Sequence, residues 1–229
     1  NATDFGNLTD GGGSNGGTGS NSTRAVSYSG QRGSSGTTKK NIIDYITIQS
    51  TGDAVDFGDA TVARVTQTGC LNSPTRGCFA GGYSPTQLNT IDFITYSTLG
   101  DAADFGDLTY TVRRPGGGSN AVRALVAGGN NYDSEHIGLN TINFFTIATL
   151  GDAKDFGDLT STANTDTAAM ACSPTRAAIF HSDTSTPNVT NTIDFVQIMT
   201  TGNALDFGDT TTGDVWGKGG TSNGHGGLG

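Results

Sequence analysis

The chain has 229 residues, 36 of them Gly, and Asp and Glu outnumber Lys and Arg by 21 to 12, for a formal net charge of -9. All but one of the acidic residues are Asp, and because helices favour Glu, Ala and Leu whereas Asp, Gly and Thr favour turns and strands, this composition argues against a helical bundle. No apolar stretch approaches the roughly 18 residues that span a bilayer, and scattered basic residues on an acidic chain argue against nucleic-acid binding.

An internal repeat is the main feature of the sequence. Its clearest marker is Asp-Phe-Gly, which occurs five times with phenylalanines 52, 48, 51 and 51 residues apart. The last four markers lie in a longer frame, Gly-Asp-Ala-x-Asp-Phe-Gly-Asp, with Asn203 replacing the first Asp of the last copy. Such a period predicts units that pack side by side.

In chain order, residues 1–9 form only the tail of a unit, and four complete units follow at about 10–59, 60–107, 108–158 and 159–209. Residues 210–229 form only the beginning of another unit. We expect such ends either where the first and last strands complete one shared unit of a ring or where the chain is a piece of a longer protein.

Each complete unit predicts some four short antiparallel strands separated by Gly, Asn, Ser and Asp turns. The first is weak, as at residues 66–70. The second starts at an arginine (Arg24, Arg76, Arg123 and Arg176) and ends twice in Gly-Gly. The third is a β-branched and aromatic segment at 41–48, 89–96, 140–147 and 191–198. The frame then leads into a fourth strand, such as Leu108 to Val112.

These strands predict an all-β fold, since a four-stranded unit of roughly 40 to 50 residues is the size of a β-propeller blade. The Arg-led strand ending in Gly-Gly, followed by an Asn-Thr-Ile-Asp-Phe strand, resembles the kelch-type propeller repeat, with the frame Phe in place of the usual tryptophan. The segment Asn89 to Thr109 is similar to a kelch-like repeat in virion proteins and tail fibres of marine tailed phages, cyanophages among them. The resemblance implies one propeller domain over residues 1–229, with four or five blades.

The repeated residues are predicted to be structural. The frame phenylalanines are expected to fill the core, and each arginine to pair with a frame carboxylate of a neighbouring strand. The other aspartates are expected to cap turns. The alternatives are calcium binding by Asp at i, i+3, i+6, a spacing that an EF-hand lacks, and a ring of arginines around an anion channel. No metal and no cofactor are predicted. The repeat residues concerned are Phe57, Phe105, Phe156, Phe207, Asp59, Asp107, Asp158 and Asp209.

Catalytic signals are weak in the sequence. Asp-Phe-Gly is also the kinase magnesium motif, but no Gly-rich loop, strand lysine or His-Arg-Asp loop accompanies it. No Ser-His-Asp or paired-Glu arrangement is visible. A hydrolase or lyase would show a deviant Asp or His in one repeat only, and His181 at a Gly-Gly position is the sole deviation of that kind. The protein is therefore not expected to be an enzyme.

Loop residues are the remaining candidates for function. Tyrosine beside Asn and Asp suits sugar binding, because ring faces stack on sugars while amides and carboxylates bond the hydroxyls. The candidates are Tyr83, Tyr132, His136 and the lone Trp216. Together with the resemblance they predict a structural and recognition component of a phage virion that presents loops to the host surface. The expected partners are other virion proteins, a host-surface glycan and further copies of the chain, in the virion or outside the cell. A secreted or surface-attached bacterial adhesin is the alternative.

Overall fold

The computed structural model describes residues 1–10, 13–14, 16–32, 38–66, 68–131, 137–161, 169–181, 191–211 and 220. These residues form twenty β-strands and no helix, which confirms the predicted all-β class. The strands make four main antiparallel sheets, each from consecutive segments, and a small two-stranded ribbon.

The first two sheets have five strands each. Sheet 1 runs in the order β2-β3-β4-β5, with β1 also on β3: β1 is Gly13–Ser14, β2 Gly17–Ser20, β3 Arg24–Arg32, β4 Thr38–Thr47 and β5 Val55–Asp59. Sheet 2 runs in the order β6-β7-β9-β10, with β8 also on β9: β6 is Thr68–Asn72, β7 Arg76–Ala80, β8 Tyr83–Ser84, β9 Thr86–Thr95 and β10 Ala103–Val112.

The other two sheets have four strands each. Sheet 3 runs in the order β11-β12-β15-β16: β11 is Gly116–Ser119, β12 Arg123–Ala127, β15 Thr141–Thr146 and β16 Lys154–Asp158. Its ribbon pairs β13, Asn130–Asn131, with β14, Ile137–Gly138. Sheet 4 runs in the order β17-β18-β19-β20: β17 is Ala169–Cys172, β18 Arg176–Phe180, β19 Thr192–Gln197 and β20 Leu205–Asp209.

The second half of the frame already belongs to the fourth strand of each sheet. In sheet 2 that strand continues through the predicted segment Leu108 to Val112, whereas β5, β16 and β20 end at the last residue of the frame. In sheet 3 the pairing passes from Ile142 opposite Gly157 to Asn143 opposite Asp155, so Phe156 is the extra residue of a β-bulge. Gly157 has a φ of 144°, in the region that favours glycine. The bulge explains why Phe is always followed by Gly.

The hydrophobic core lies in three layers between successive sheets. The layer between sheets 2 and 3 packs Leu71, Cys78 and Ile91 against Val126 and Phe145. Each layer contains one frame phenylalanine, namely Phe57, Phe105 or Phe156. Thin layers suffice because sheets 2 and 3 each bury both of their faces.

The first strands of successive sheets also contact one another, β2 with β6, β6 with β11, and β11 with β17. Glycine permits this approach, because a Cβ on Gly117 would lie 2.8 Å from the carbonyl oxygen of Gly69. Gly220 lies in the same way against the backbone of Met170 in β17. No helix within the described residues is long and apolar enough to cross a membrane.

Candidate functional site

Successive sheets are joined by one repeated set of backbone hydrogen bonds, which we call the junction. The frame strand of one sheet accepts bonds from the Gly-Asp-Ala segment of the next sheet. Between sheets 2 and 3, Gly151 N–H donates to the carbonyl of Phe105 at 2.9 Å, and Ala153 N–H donates to the carbonyl of Asp107 at 2.8 Å. Asp107 N–H donates in turn to Asp152 Oδ1 at 3.0 Å.

Four junctions of this kind are present among the described residues. The acceptor carbonyls are Phe5 and Asn7, Phe57 and Asp59, Phe105 and Asp107, and Phe156 and Asp158. The first is made by the N-terminal segment on Gly52 and Ala54 of sheet 1, so residues 5–7 take the place of a frame strand. The last uses Asn203 Oδ1 where the others use an aspartate, so an amide oxygen serves as well as a carboxylate.

A second polar contact crosses each junction. The threonine two residues after the frame donates its hydroxyl to a buried Asp or Asn in the middle of the next sheet's third strand. The pairs are Thr9 with Asp44, Thr61 with Asp92, Thr109 with Asn143, and Thr160 with Asp194. A buried side-chain oxygen of the third strand thus accepts a hydrogen bond in every repeat, although Asn143 Nδ2 is buried without a described partner.

The strand-leading arginines do not have the carboxylate partners that the sequence predicted. Arg76 Nη1 donates to the carbonyl of Ile147 at 3.0 Å, and Arg123 Nη1 to that of Ile198 at 2.9 Å. Arg24 donates to the equivalent carbonyl of Tyr96. Each guanidinium also lies over a ring of its own sheet, as Arg123 does 4.3 Å from the Phe144 centroid. Arg24, Arg76 and Arg123 therefore bind the next sheet's backbone instead of a frame aspartate.

In sheets 1 to 3 one face packs on the following sheet, and we call it the forward face. The forward face of sheet 4 lacks these contacts. Phe207 is 57% exposed, whereas Phe57, Phe105 and Phe156 are 3%, 2% and 3% exposed. Among the described residues, none donates to the carbonyls of Phe207 and Asp209, and no carbonyl accepts from Arg176, which stays over Phe195. Phe207 was predicted to be a core residue, and its exposure corrects that prediction: nothing described covers it.

The rear face of a sheet is the one that packs on the preceding sheet in sheets 2 to 4. In sheet 1 this face is exposed, as the forward face of sheet 4 is. Ile48 is 41% exposed, whereas its equivalents Tyr96, Ile147 and Ile198 are 1%, 0% and 0% exposed. A cavity of about 420 Å³ lies on this face, lined by Leu8, Thr18–Ser20, Ala25–Ser27, Asp44–Ile46, Ala54, Asn72 and Gly220. We call these two exposed faces, with the cavity, the open junction.

Two buried charge clusters distinguish individual repeats. Arg64 Nη2 lies 2.9 Å from Asp92 Oδ2 with both side chains fully buried. Tyr28 donates its hydroxyl to the same carboxylate. Burial raises the pKa of Tyr28, with the Arg64 charge opposing and the Asp92 charge reinforcing the shift, so this phenol remains a donor.

The second cluster is a Ser-His-Asp set that the sequence did not reveal. Asp194 Oδ2 lies 2.9 Å from His181 Nε2, and His181 Nδ1 lies 3.3 Å from Ser161 Oγ. Burial acts to raise the pKa of Asp194, but hydrogen bonds from His181 and Thr160 outweigh it and lower that pKa. His181 and Asp194 are fully buried, so the imidazole has no exposed edge for a substrate. The arrangement can hold a buried negative charge, as Arg64 does in sheet 2.

Of the predicted loop residues, the structure describes Tyr83. Its ring is half-buried, with Lys39 Nζ 4.3 Å and the Arg113 guanidinium 5.8 Å from its centroid. The segments that carry Tyr83 and Asn131 meet here, because Gln87 Nε2 donates to Asn131 Oδ1 at 3.4 Å. Tyr132, His136 and Trp216 lie outside the described residues.

Metal and thiol chemistry gain no support from the described part of the chain. It contains no group of three or more His, Cys, Asp or Glu residues that could hold a metal ion. Burial raises the pKa of the Cys78 thiol to about 12, which keeps it protonated and unreactive.

Comparison with known proteins gives no family for this chain. No protein-family model matches the chain, and no curated protein matches it. The kelch-like resemblance stated above therefore stands on the residues alone.

Proposed function

We propose that this chain is a non-enzymatic structural and recognition component of a phage virion, built as a kelch-like β-propeller. One observation carries the proposal: every repeated polar residue with a described contact bonds within or between sheets. Asp152 accepts from Asp107 N–H, Asn143 accepts from Thr109, and Arg123 donates to Ile198. The repeated polar residues thus stabilise the scaffold, and we assign recognition to the loops, which differ between repeats.

The propeller architecture is supported by the inner strands. β2, β6, β11 and β17 contact one another in succession, as the innermost strands of blades do. Gly220 continues the row beyond β17 and lines the same cavity as Thr18–Ser20 of β2. This placement favours a ring of five positions, of which four are filled by complete sheets and the fifth is the open junction.

The recognition surface that we propose lies where the loops of sheets 2 and 3 meet. Tyr83 and Asn131 bring a phenol and an amide together beside Lys39 and Arg113, and the buried Gln87 donates to Asn131 from beneath them. Such groups suit a host-surface glycan, since amides bond sugar hydroxyls and cations attract acidic sugars. Lys39 already lies over the tyrosine ring, so we assign the binding to hydrogen bonds at this end more than to ring stacking.

The experiment that tests the virion proposal is co-fractionation. Source material is banded on a density gradient, and the chain is followed across the fractions by peptide mass spectrometry. Co-migration with DNA-filled particles is expected. Recovery only in particle-free or cell-surface fractions would overturn it and favour the bacterial adhesin.

Recognition is tested separately, with a glycan array probed by the wild-type chain and by Tyr83→Phe and Asn131→Ala. Selective binding that both substitutions weaken is expected. A Ser161→Ala variant provides the enzymatic comparison: hydrolysis of ester or glycoside substrates that this change abolishes would contradict the non-enzymatic assignment.

A further inference from the structure

We propose that the open junction binds a β-hairpin of the repeat's own type that is not one of the four repeats of residues 1–229. The hairpin supplies an Arg-led strand and an Asn-Thr-Ile-Asp-Phe strand that ends in Gly-Asp-Ala or Gly-Asn-Ala. The four occupied junctions of this chain define what each exposed face requires.

The forward face of sheet 4 presents an unused copy of the frame-strand edge. At the preceding junction, Gly202 N–H and Ala204 N–H donate to the carbonyls of Phe156 and Asp158, each at 2.8 Å. The equivalent carbonyls here belong to Phe207 and Asp209. They require a Gly and an Ala two residues apart, while Asp209 N–H requires the Asp or Asn between them.

The space at this edge has the required shape. At the four occupied junctions a Cβ on the frame glycine would collide with the next sheet, as on Gly106, where it would lie 2.6 Å from the carbonyl carbon of Gly151. A Cβ on Gly208 would meet nothing within 4 Å. The glycine surface that receives the next sheet is therefore formed and vacant of described residues.

The rear face of sheet 1 shows which residues the opposite side of the hairpin needs. The Ile48 carbonyl is the equivalent of the Tyr96, Ile147 and Ile198 carbonyls that accept from arginines, so it requires an Arg at the start of the incoming strand. Beside it, Ala25 and Ile46 line the cavity of about 420 Å³. The equivalent residues of sheet 3, Ala124 and Phe145, pack on apolar side chains of sheet 2.

A hairpin fits better than a whole sheet because the flanking positions are taken. Residues 5–7 already occupy the fourth-strand position on sheet 1, and Gly220 lies on Met170 in the position of a first strand. Among the described residues, nothing occupies the positions of the second and third strands. The four Gly-Asp-Ala or Gly-Asn-Ala segments of residues 1–229 all hold a frame strand already, so none of them is free to supply the hairpin.

The test uses the full chain and a fluorescent synthetic peptide with the sequence of residues 122–153, which includes Arg123 and Gly151 to Ala153. Saturable binding by anisotropy is expected. Phe207→Ser in the chain is expected to weaken binding at least about tenfold, since burying a phenylalanine supplies that much. In the peptide, Asp152→Asn is expected to bind like wild type, as Asn203 does in the fourth sheet, and Asp152→Ala about fivefold more weakly.

Two further measurements keep the result specific. Phe207→Ser must retain the wild-type melting temperature, as expected for an exposed side chain, and amide exchange must show new protection at Asp209 N–H on peptide binding. Absence of saturable binding at millimolar peptide, or binding indifferent to Phe207→Ser, overturns the proposal. Dimerisation of the chain alone that Phe207→Ser abolishes would also overturn it, because a second copy would then be the occupant.

Discussion

The guanidinium of Arg64 and the carboxylate of Asp92 form an ion pair of 2.9 Å in which neither side chain reaches solvent. Asp92 occupies a position that is Asp194 in sheet 4 and the neutral Asn143 in sheet 3. The acids have buried cationic or imidazole partners, Arg64 and His181, that are specific to their repeats. In sheets 2 and 4 the charge at this position is thus balanced by a partner within reach of that one carboxylate.

The first prediction concerns this balance. Arg64→Met should lower the free energy of unfolding by about 3 to 5 kcal/mol, because it leaves the Asp92 carboxylate buried without its cation. The double variant Arg64→Met, Asp92→Asn should recover most of the loss, since sheet 3 tolerates Asn143 there. Urea denaturation measures both. A single variant within about 1 kcal/mol of wild type would show that the pair is solvated in solution.

The second prediction concerns pH. The folded-state pKa of Asp194 is lowered, so its contribution to stability is complete above the unfolded pKa of about 3.9 and is lost as pH falls through the folded value. Asp194→Asn should therefore show a smaller loss of unfolding free energy than wild type between neutral pH and acid. Denaturation series at several pH values measure this. Asp155→Asn, which removes an exposed carboxylate from the same part of the chain, is the control for the loss of one negative charge.

The third prediction isolates the contact between sheets. Gly106 and Gly208 have similar φ values, 143° and 135°, so alanine strains the backbone equally at both. At Gly106 the new Cβ would also lie 2.6 Å from the backbone of sheet 3, whereas at Gly208 it would meet nothing within 4 Å. Gly106→Ala should therefore destabilise the protein by about 1 to 3 kcal/mol more than Gly208→Ala. Equal losses of unfolding free energy in the two variants would mean that sheet 3 shifts to accept the new Cβ without loss of stability.

Sequence reasoning reached the fold class and most of the strands because the repeat displays them four times over. Val26, Ile91 and Phe105 are buried in a pattern that period-2 alternation and the frame both indicate. The bulge at Phe156 was missed because a strand with an inserted residue has the same composition as a turn.

The candidate site was less accessible to such reasoning. The partners of Arg76 and Arg123 are backbone carbonyls, which carry no residue signature. Arg64, Tyr28 and Ser161 each act in a single repeat, so the period does not mark them. A signal did exist for the buried acids, since Asp44, Asp92 and Asp194 interrupt otherwise apolar strands, and threonine follows the frame at a fixed distance.

The last prediction compares two arginines that differ only in the sheet beyond them. Arg123 lies over Phe144 and donates to the Ile198 carbonyl at 2.9 Å, whereas Arg176 lies over Phe195 with no described carbonyl acceptor. Arg123→Ala should cost about 1.5 to 3 kcal/mol more than Arg176→Ala, because it removes a charged hydrogen bond and leaves the Ile198 carbonyl unsatisfied. Urea denaturation of the two variants gives the difference. If Arg176→Ala proved as costly as Arg123→Ala, the guanidinium would act through its own ring alone, and the arginines would not be part of what holds one sheet to the next.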